Sequence, residues 1–127
     1  MGPKGLSKTL VVLGTRPEAI KLAPVIVRLR GRPELGRCLV CSTGQHREML
    51  DQTLKTFGIV PDMDLDVMLS GQSLAALAAR LFWKIDAVLE SEEPSWVLVQ
   101  GDTLSAMAAA VVAFYRRIKV AHVEAGL

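Results

Sequence analysis

Thr9-Leu10-Val11-Val12-Leu13-Gly14-Thr15-Arg16-Pro17-Glu18 is the stretch that decides the fold. Its first five residues form a short apolar run without alternation, as in a strand covered on both faces, and Gly14 breaks it. Thr15 and Glu18 then stand at capping-box spacing, and Pro17 suits a first helical turn. Ile20, Ala23 and Val27 recur at helical spacing and carry the helix to Arg30, with Pro24 expected to weaken or bend it.

The same alternation repeats outward from this unit. Arg37 to Ser42 reads as a second strand broken by Gly44, and Met49, Leu50, Leu54 and Phe57 mark a second helix ended by Gly58. Between Ile59 and Ser70 the alternation of Met63, Leu65, Val67 and Leu69 permits a short strand at a sheet edge. Leu74, Leu77, Leu81, Ile85 and Val88 make one stripe of a helix from Ser73 to Glu90, leaving Arg80, Lys84 and Glu90 for the other side. Trp96 to Val99 is a strand, Thr103 to Arg116 an Ala-rich helix expected to be buried on most sides, and Lys119 to Val123 a last strand. The fold class is therefore α/β: a Rossmann-like parallel sheet with helices on both faces, joined by right-handed crossovers. Residues 1–7 are expected to be a disordered tail and residues 8–127 an incomplete domain, because the last strand has no helix after it.

Composition narrows the function. The 127 residues are 50% hydrophobic and 22% charged, with a net charge of +2 spread among acids rather than gathered in a stripe, so no nucleic acid is expected as partner. No apolar run reaches the ~18 residues that span a membrane, and the opening segment lacks a signal peptide's apolar core, so a cytoplasmic protein without membrane contact is expected. Cys38 and Cys41 lie at an odd offset within one strand, on opposite faces, which disfavours a shared metal or a disulfide.

Ligands of open parallel sheets bind beyond the carboxyl ends of the strands, where four polar clusters gather. They are Gly14 to Glu18, Thr43 to Glu48, Gln100 to Thr103, and His122 to Gly126. The first places Arg16 and free backbone N–H groups at a helix N-terminus, which favours an anion, and Lys21 could add a second cation. An ideal helix turns Lys21 away from Arg16 by roughly 140°, and both could equally pair with surface carboxylates. The sequence lacks G-x-G-x-x-G and the P-loop pattern, which excludes an ordinary dinucleotide site and an NTPase. Asp102 reads alone as the cap of the following helix. Glu124, after an apolar strand and beside glycine, needs solvent or a partner. As a pair at one sheet edge the two carboxylates could do acid and base work, with desolvation raising the pKa of one. His46 and His122 are weaker candidates, and His122 reads more readily as a structural residue.

Gly14-Thr15-Arg16-Pro17-Glu18-Ala19-Ile20-Lys21, Thr43-Gly44-Gln45-His46-Arg47-Glu48-Met49-Leu50-Asp51-Gln52, Gly101-Asp102-Thr103 and His122-Val123-Glu124-Ala125-Gly126-Leu127 closely resemble successive motifs of the non-hydrolysing UDP-N-acetylglucosamine 2-epimerases. The resemblance runs from Lys8 to Leu127 and covers the first domain of a longer, two-domain, glycosyltransferase-B-like chain. It implies interconversion of UDP-GlcNAc and UDP-ManNAc at C2 by elimination and re-addition of UDP, in cell-envelope polysaccharide biosynthesis. Asp102 and Glu124 match acidic positions implicated in catalysis, and Arg16 and Lys21 match substrate-binding basic positions. No cofactor or metal is implied, and a homodimer is expected. A further glutamate, a histidine and most nucleotide-binding residues would lie beyond Leu127, in the remainder of the first domain and a second domain absent from this chain, so the isolated chain is expected to be inactive. Glu48 and Gly71 stand where some members carry Gln and Arg for an activator, so no regulation is carried over. The alternatives are a non-catalytic truncated binding or interaction module and a related sugar transferase; a hydrolysing epimerase would release ManNAc instead of UDP-ManNAc. A receiver-type phosphoacceptor domain would need an acidic pair where Gly14-Thr15-Arg16 stands.

Overall fold

The computed structural model of the chain describes residues 7–124. Residues 1–6 of the expected tail and the closing Ala125-Gly126-Leu127 lie outside the described residues. In chain order the elements are β1 (Lys8–Leu13), α1 (Arg16–Arg30), β2 (Arg37–Ser42), α2 (Arg47–Thr56), β3 (Met63–Asp64), α3 (Leu74–Glu92), β4 (Trp96–Gln100), α4 (Leu104–Tyr115) and β5 (Lys119–Val123), with a 3-10 turn at Pro33–Leu35. The five strands form one parallel sheet in the order β3-β2-β1-β4-β5. The ambiguous segment after Ile59 supplies β3, two residues long at the sheet edge.

Burial on both faces explains the apolar strands. Leu10, Val12, Leu39, Cys41, Val97 and Val99 point to one side, where α3 and α4 pack, while Val11, Leu13, Val40 and Leu98 point to the other, under α1 and α2. Cys38 and Cys41 fall in these opposite layers, as their odd offset requires, and both thiols are free. Burial pushes the Cys41 thiol up to about 12, so it stays protonated and unreactive at neutral pH.

Three expectations about helix faces are corrected. In α1 the inward stripe is Ala19, Leu22, Ala23 and Ile26, whereas Ile20 and Val27 are exposed. Both stripes satisfy helical spacing, and the inward burial of Glu18 sets which one turns to the sheet. Pro24 sits inside a continuous helix on its exposed side, so the Ile20 carbonyl that lacks an amide partner faces outward. On α3, Arg80 and Lys84 are not left for solvent: they donate to the carbonyls of Val67 (3.2 Å) and Leu65 (2.7 Å) and tie the segment after β3 to the helix, while Leu74 is exposed. Finally, α4 buries Ser105, Ala106, Ala108, Ala109, Val112 and Ala113 but exposes Met107, Phe114 and Tyr115, because α3 covers only one of its sides.

The phase of α1 is testable by denaturant unfolding. Ile26→Ala should cost about 2–4 kcal/mol, the range for truncating a buried aliphatic side chain. Val27→Ala should cost less than ~1 kcal/mol, as at exposed positions. Equal costs would place the inward stripe elsewhere.

Candidate functional site

Between β1 and β4 the strand order reverses direction, and this is where α/β sheets open a crevice beyond their carboxyl ends. The β1–α1 and β4–α4 turns face each other across it. The turns are joined by Glu18, whose side chain has no exposed surface. Its Oε2 accepts from the N–H of Gly14 (3.2 Å), the N–H of Thr15 (2.8 Å) and the hydroxyl of Thr15 (2.6 Å). Its Oε1 accepts from the hydroxyl of Thr103 (3.0 Å) on the facing turn.

This overturns one expectation and revises another. The N–H groups of Gly14 and Thr15 are not free for an external anion: an internal carboxylate already holds them. The helix cap of α4 is Thr103, whose Oγ1 accepts from the N–H of Ala106 (3.1 Å), and not Asp102. Asp102 is one residue earlier, exposed, and makes no hydrogen bond among the described residues. Its position is set by its neighbours. Gly101, at φ +74°, donates to the Val123 carbonyl (3.0 Å) and accepts from His122 Nε2 (2.6 Å). A carbonyl can only accept, so Nε2 carries the proton and His122 has a structural partner, as expected of it.

A second junction holds the β2–α2 turn against α4. Gln45 N–H donates to Thr43 Oγ1 (3.3 Å), Thr43 lies 3.0 Å from Ser105 Oγ, and Ser105 donates to Gln45 Oε1 (2.8 Å), which closes a directional ring. Gly14 lies directly against it. A Cβ at Gly14 would stand 2.2 Å from Thr43 Oγ1 and 2.7 Å from Ser105 Oγ, so this position admits only glycine without displacement.

Lys21 and Glu124 meet in an ion pair, and Gln100 donates to the other carboxylate oxygen of Glu124. Glu124 adopts φ +62°, a conformation that costs a non-glycine residue roughly 1–3 kcal/mol and here turns its carboxylate back towards α1. The contact with Lys21, helped by Gln100, holds this carboxyl below the usual carboxylate range. The carboxyl raised by desolvation is Glu18 instead, against the opposing pull of its four hydrogen bonds. Desolvation is expected from the sequence to raise one carboxyl of the Asp102 and Glu124 pair; Glu124 is lowered, and the raised carboxyl is Glu18, which lies outside that pair.

Arg16 begins α1 but does not join Lys21. It lines a shallow cleft with Met49, Gln52, Thr53 and Thr56 of α2 and has no carboxylate partner among the described residues. A cavity of about 630 Å³ lies elsewhere, between the end of α2 and β3, lined by Lys55, Ile59, Pro61 and Asp62. The strand ends therefore bring Asp102, Glu124 and Lys21 to one edge and leave Arg16 on the α2 side. Glu18, Gln100, Thr103, Thr43 and Gln45 fall within the polar clusters read from the sequence but are not singled out there as site residues, and Ser105 lies outside those clusters. For Gln100 a signal existed: a polar residue ends an otherwise apolar strand. No group of metal-ligating side chains occurs among the described residues, nor is any of their helices long and apolar enough to cross a membrane.

Residues 27–127 match the family described as UDP-N-acetylglucosamine 2-epimerase. The chain is 51% identical, over 94% of its length, to UDP-N-acetylglucosamine 2-epimerase of Escherichia coli strain K12, and 48% identical over 96% to that of Salmonella borreze. It covers 32% of each, so it spans about a third of the length of these curated relatives. The crystal structure of UDP-GlcNAc 2-epimerase from Neisseria meningitidis bound to UDP-GlcNAc superposes with a TM-score of 0.88 at 49% identity, over 94% of this chain and 32% of that one.

Two outcomes check the geometry. Gly14→Ala should lower stability by about 1–3 kcal/mol through overpacking against Thr43 and Ser105, read from urea unfolding. The second concerns pH. A carboxyl raised in the folded state contributes stability that is fully present below its unfolded value, near 4.5, and lost as pH rises through the folded value. The melting temperature of Glu18→Gln relative to the unsubstituted chain should therefore increase as pH rises above that value, and a pH-independent difference would contradict the shift.

Proposed function

The chain belongs to the UDP-N-acetylglucosamine 2-epimerase family, and from that premise we propose that, within a longer protein, it interconverts UDP-GlcNAc and UDP-ManNAc at C2. The observation that carries this reading is the placement of Asp102 and Glu124, each one residue beyond the hydrogen-bonded Gly101–Val123 pair at adjacent strand ends.

The C2 proton is not next to a carbonyl. A base removes it only as the C1–O bond breaks and positive charge develops at C1, so UDP leaves in the same event and re-adds after reprotonation on the other face. That chemistry calls for acid-base groups at C2 and positive charge at the departing diphosphate. Glu124, held ionised by Lys21 and Gln100, is suited to accept a proton at neutral pH. Asp102 is the second acid-base group, on the neighbouring turn. Arg16 and Lys21 supply positive charge to the substrate, Lys21 acting also as the partner that keeps Glu124 ionised. The α1 N-terminus itself does not receive the diphosphate, since Glu18 fills it. In the same reading this is the first domain of a two-domain, glycosyltransferase-B-like fold, working as a cytoplasmic homodimer, with a further glutamate and histidine supplied from outside the sequence described here.

In a protein of the relatives' full length that carries this sequence, Asp102→Asn or Glu124→Gln should lower turnover of UDP-GlcNAc to UDP-ManNAc by at least ~100-fold, as loss of an acid-base group does. Near-normal turnover in both would defeat the assignment. Lys21→Met removes what holds the Glu124 carboxyl low, so the acidic limb of its kcat/KM profile should move to higher pH. An unmoved limb would separate Glu124 from the base role.

A further inference from the structure

We propose that Glu18 is a positioning residue for the reaction: through Thr103 it fixes the turn that presents Asp102 relative to the turn that presents Arg16. This rests on the epimerase reading for its activity readout. Four observations support it. Glu18 has no exposed surface, so its carboxylate cannot reach a substrate and acts only through its partners. All four of its hydrogen bonds go to two turns, three to Gly14 and Thr15 and one to Thr103, which is 85 residues away in sequence. Those turns stand on β1 and β4, the strands that flank the order reversal. Thr103 is the immediate neighbour of Asp102, whose other neighbour, Gly101, is bonded on both its N–H and its carbonyl to β5.

A helix cap alone does not account for this arrangement. Thr15 and Glu18 would satisfy the α1 terminus without Thr103, and Thr103 caps α4 through Ala106 without Glu18. The bond between them adds nothing to either helix end. What it adds is a fixed distance across the crevice, and displacement of a reacting group by about 1 Å can cost on the order of 100-fold in rate.

The link can be broken from either side in a protein of the relatives' full length that carries this sequence. Thr103→Val removes the hydroxyl and leaves Glu18 three of its four donors, Thr103→Ser restores the hydroxyl, and Glu18→Gln replaces the charged acceptor. Thr103→Val and Glu18→Gln should each lower kcat by about 10–100-fold while KM for UDP-GlcNAc changes less than ~3-fold. The double variant should be no slower than the slower single one, because both break one link. Thr103→Ser should recover most of kcat. Multiplicative losses in the double variant, or kcat near normal in both single variants, would overturn the proposal. Amide hydrogen exchange gives a readout independent of turnover: Thr103→Val should speed exchange at Gly14 and Thr15, on the far side of the crevice, by several-fold, which loss of the α4 cap alone would not do. Unchanged exchange there overturns the link. Absence of turnover in the unsubstituted protein counts against the epimerase reading alone, and exchange then decides the role of Glu18.

Discussion

A carboxylate with no exposed surface must be given donors by the chain around it, and Glu18 takes them from two turns that would otherwise be independent. The rest of the site follows from meeting that demand. Bringing the N–H groups of Gly14 and Thr15 onto Glu18 sets the rotation of α1, which puts Ala19, Leu22, Ala23 and Ile26 against the sheet and sends Lys21 towards Glu124. The same turn packs so tightly against Thr43 and Ser105 that residue 14 has no room for a side chain. Three of the loops at the carboxyl edge are thus tied together by two adjoining hydrogen-bonded junctions, and the exposed Asp102 stands beside them.

Filling the α1 N-terminus with an internal anion also redistributes charge at the crevice. A helix N-terminus ordinarily attracts phosphate, but here its partial positive charge is spent on Glu18. Positive charge for a ligand must come from side chains instead. Arg16 offers it on the α2 side, while Lys21 offers it beside Glu124. Two glutamates far apart in sequence, one at the start of α1 and one just after β5, are thereby put in contrasting states: burial raises Glu18, and the cation lowers Glu124.

Much of the fold was legible in the sequence because strands buried on both faces leave short unbroken apolar runs, and glycine breaks mark where they end. The edge strand after Ile59 was readable only as a possibility, since a two-residue strand carries too little pattern. Helix faces were less legible: in α1 two parallel stripes, one through Ile20 and Val27 and one through Ala19 and Ile26, satisfy the same period, and the choice is made by tertiary contacts, the packing of Leu22 and Ile26 on the sheet and the buried hydrogen bonds of Glu18. Asp102 and Glu124 stood out as carboxylates after strands, and the structure places both at adjacent strand ends. Gln100 as a partner of Glu124 and the bond between Glu18 and Thr103 could not be read, because they join residues distant in sequence; Thr103 caps α4 through the nearby Ala106, and the neighbouring Asp102, an equally good capping type, obscured it.

The account stands on chemistry at C2 of a nucleotide sugar, and proton NMR in D2O observes that atom directly. UDP-GlcNAc incubated with a protein of the relatives' full length that carries this sequence should lose its C2 proton signal as deuterium enters and UDP-ManNAc forms. A C2 signal that persists unchanged, with no UDP-ManNAc, would contradict it.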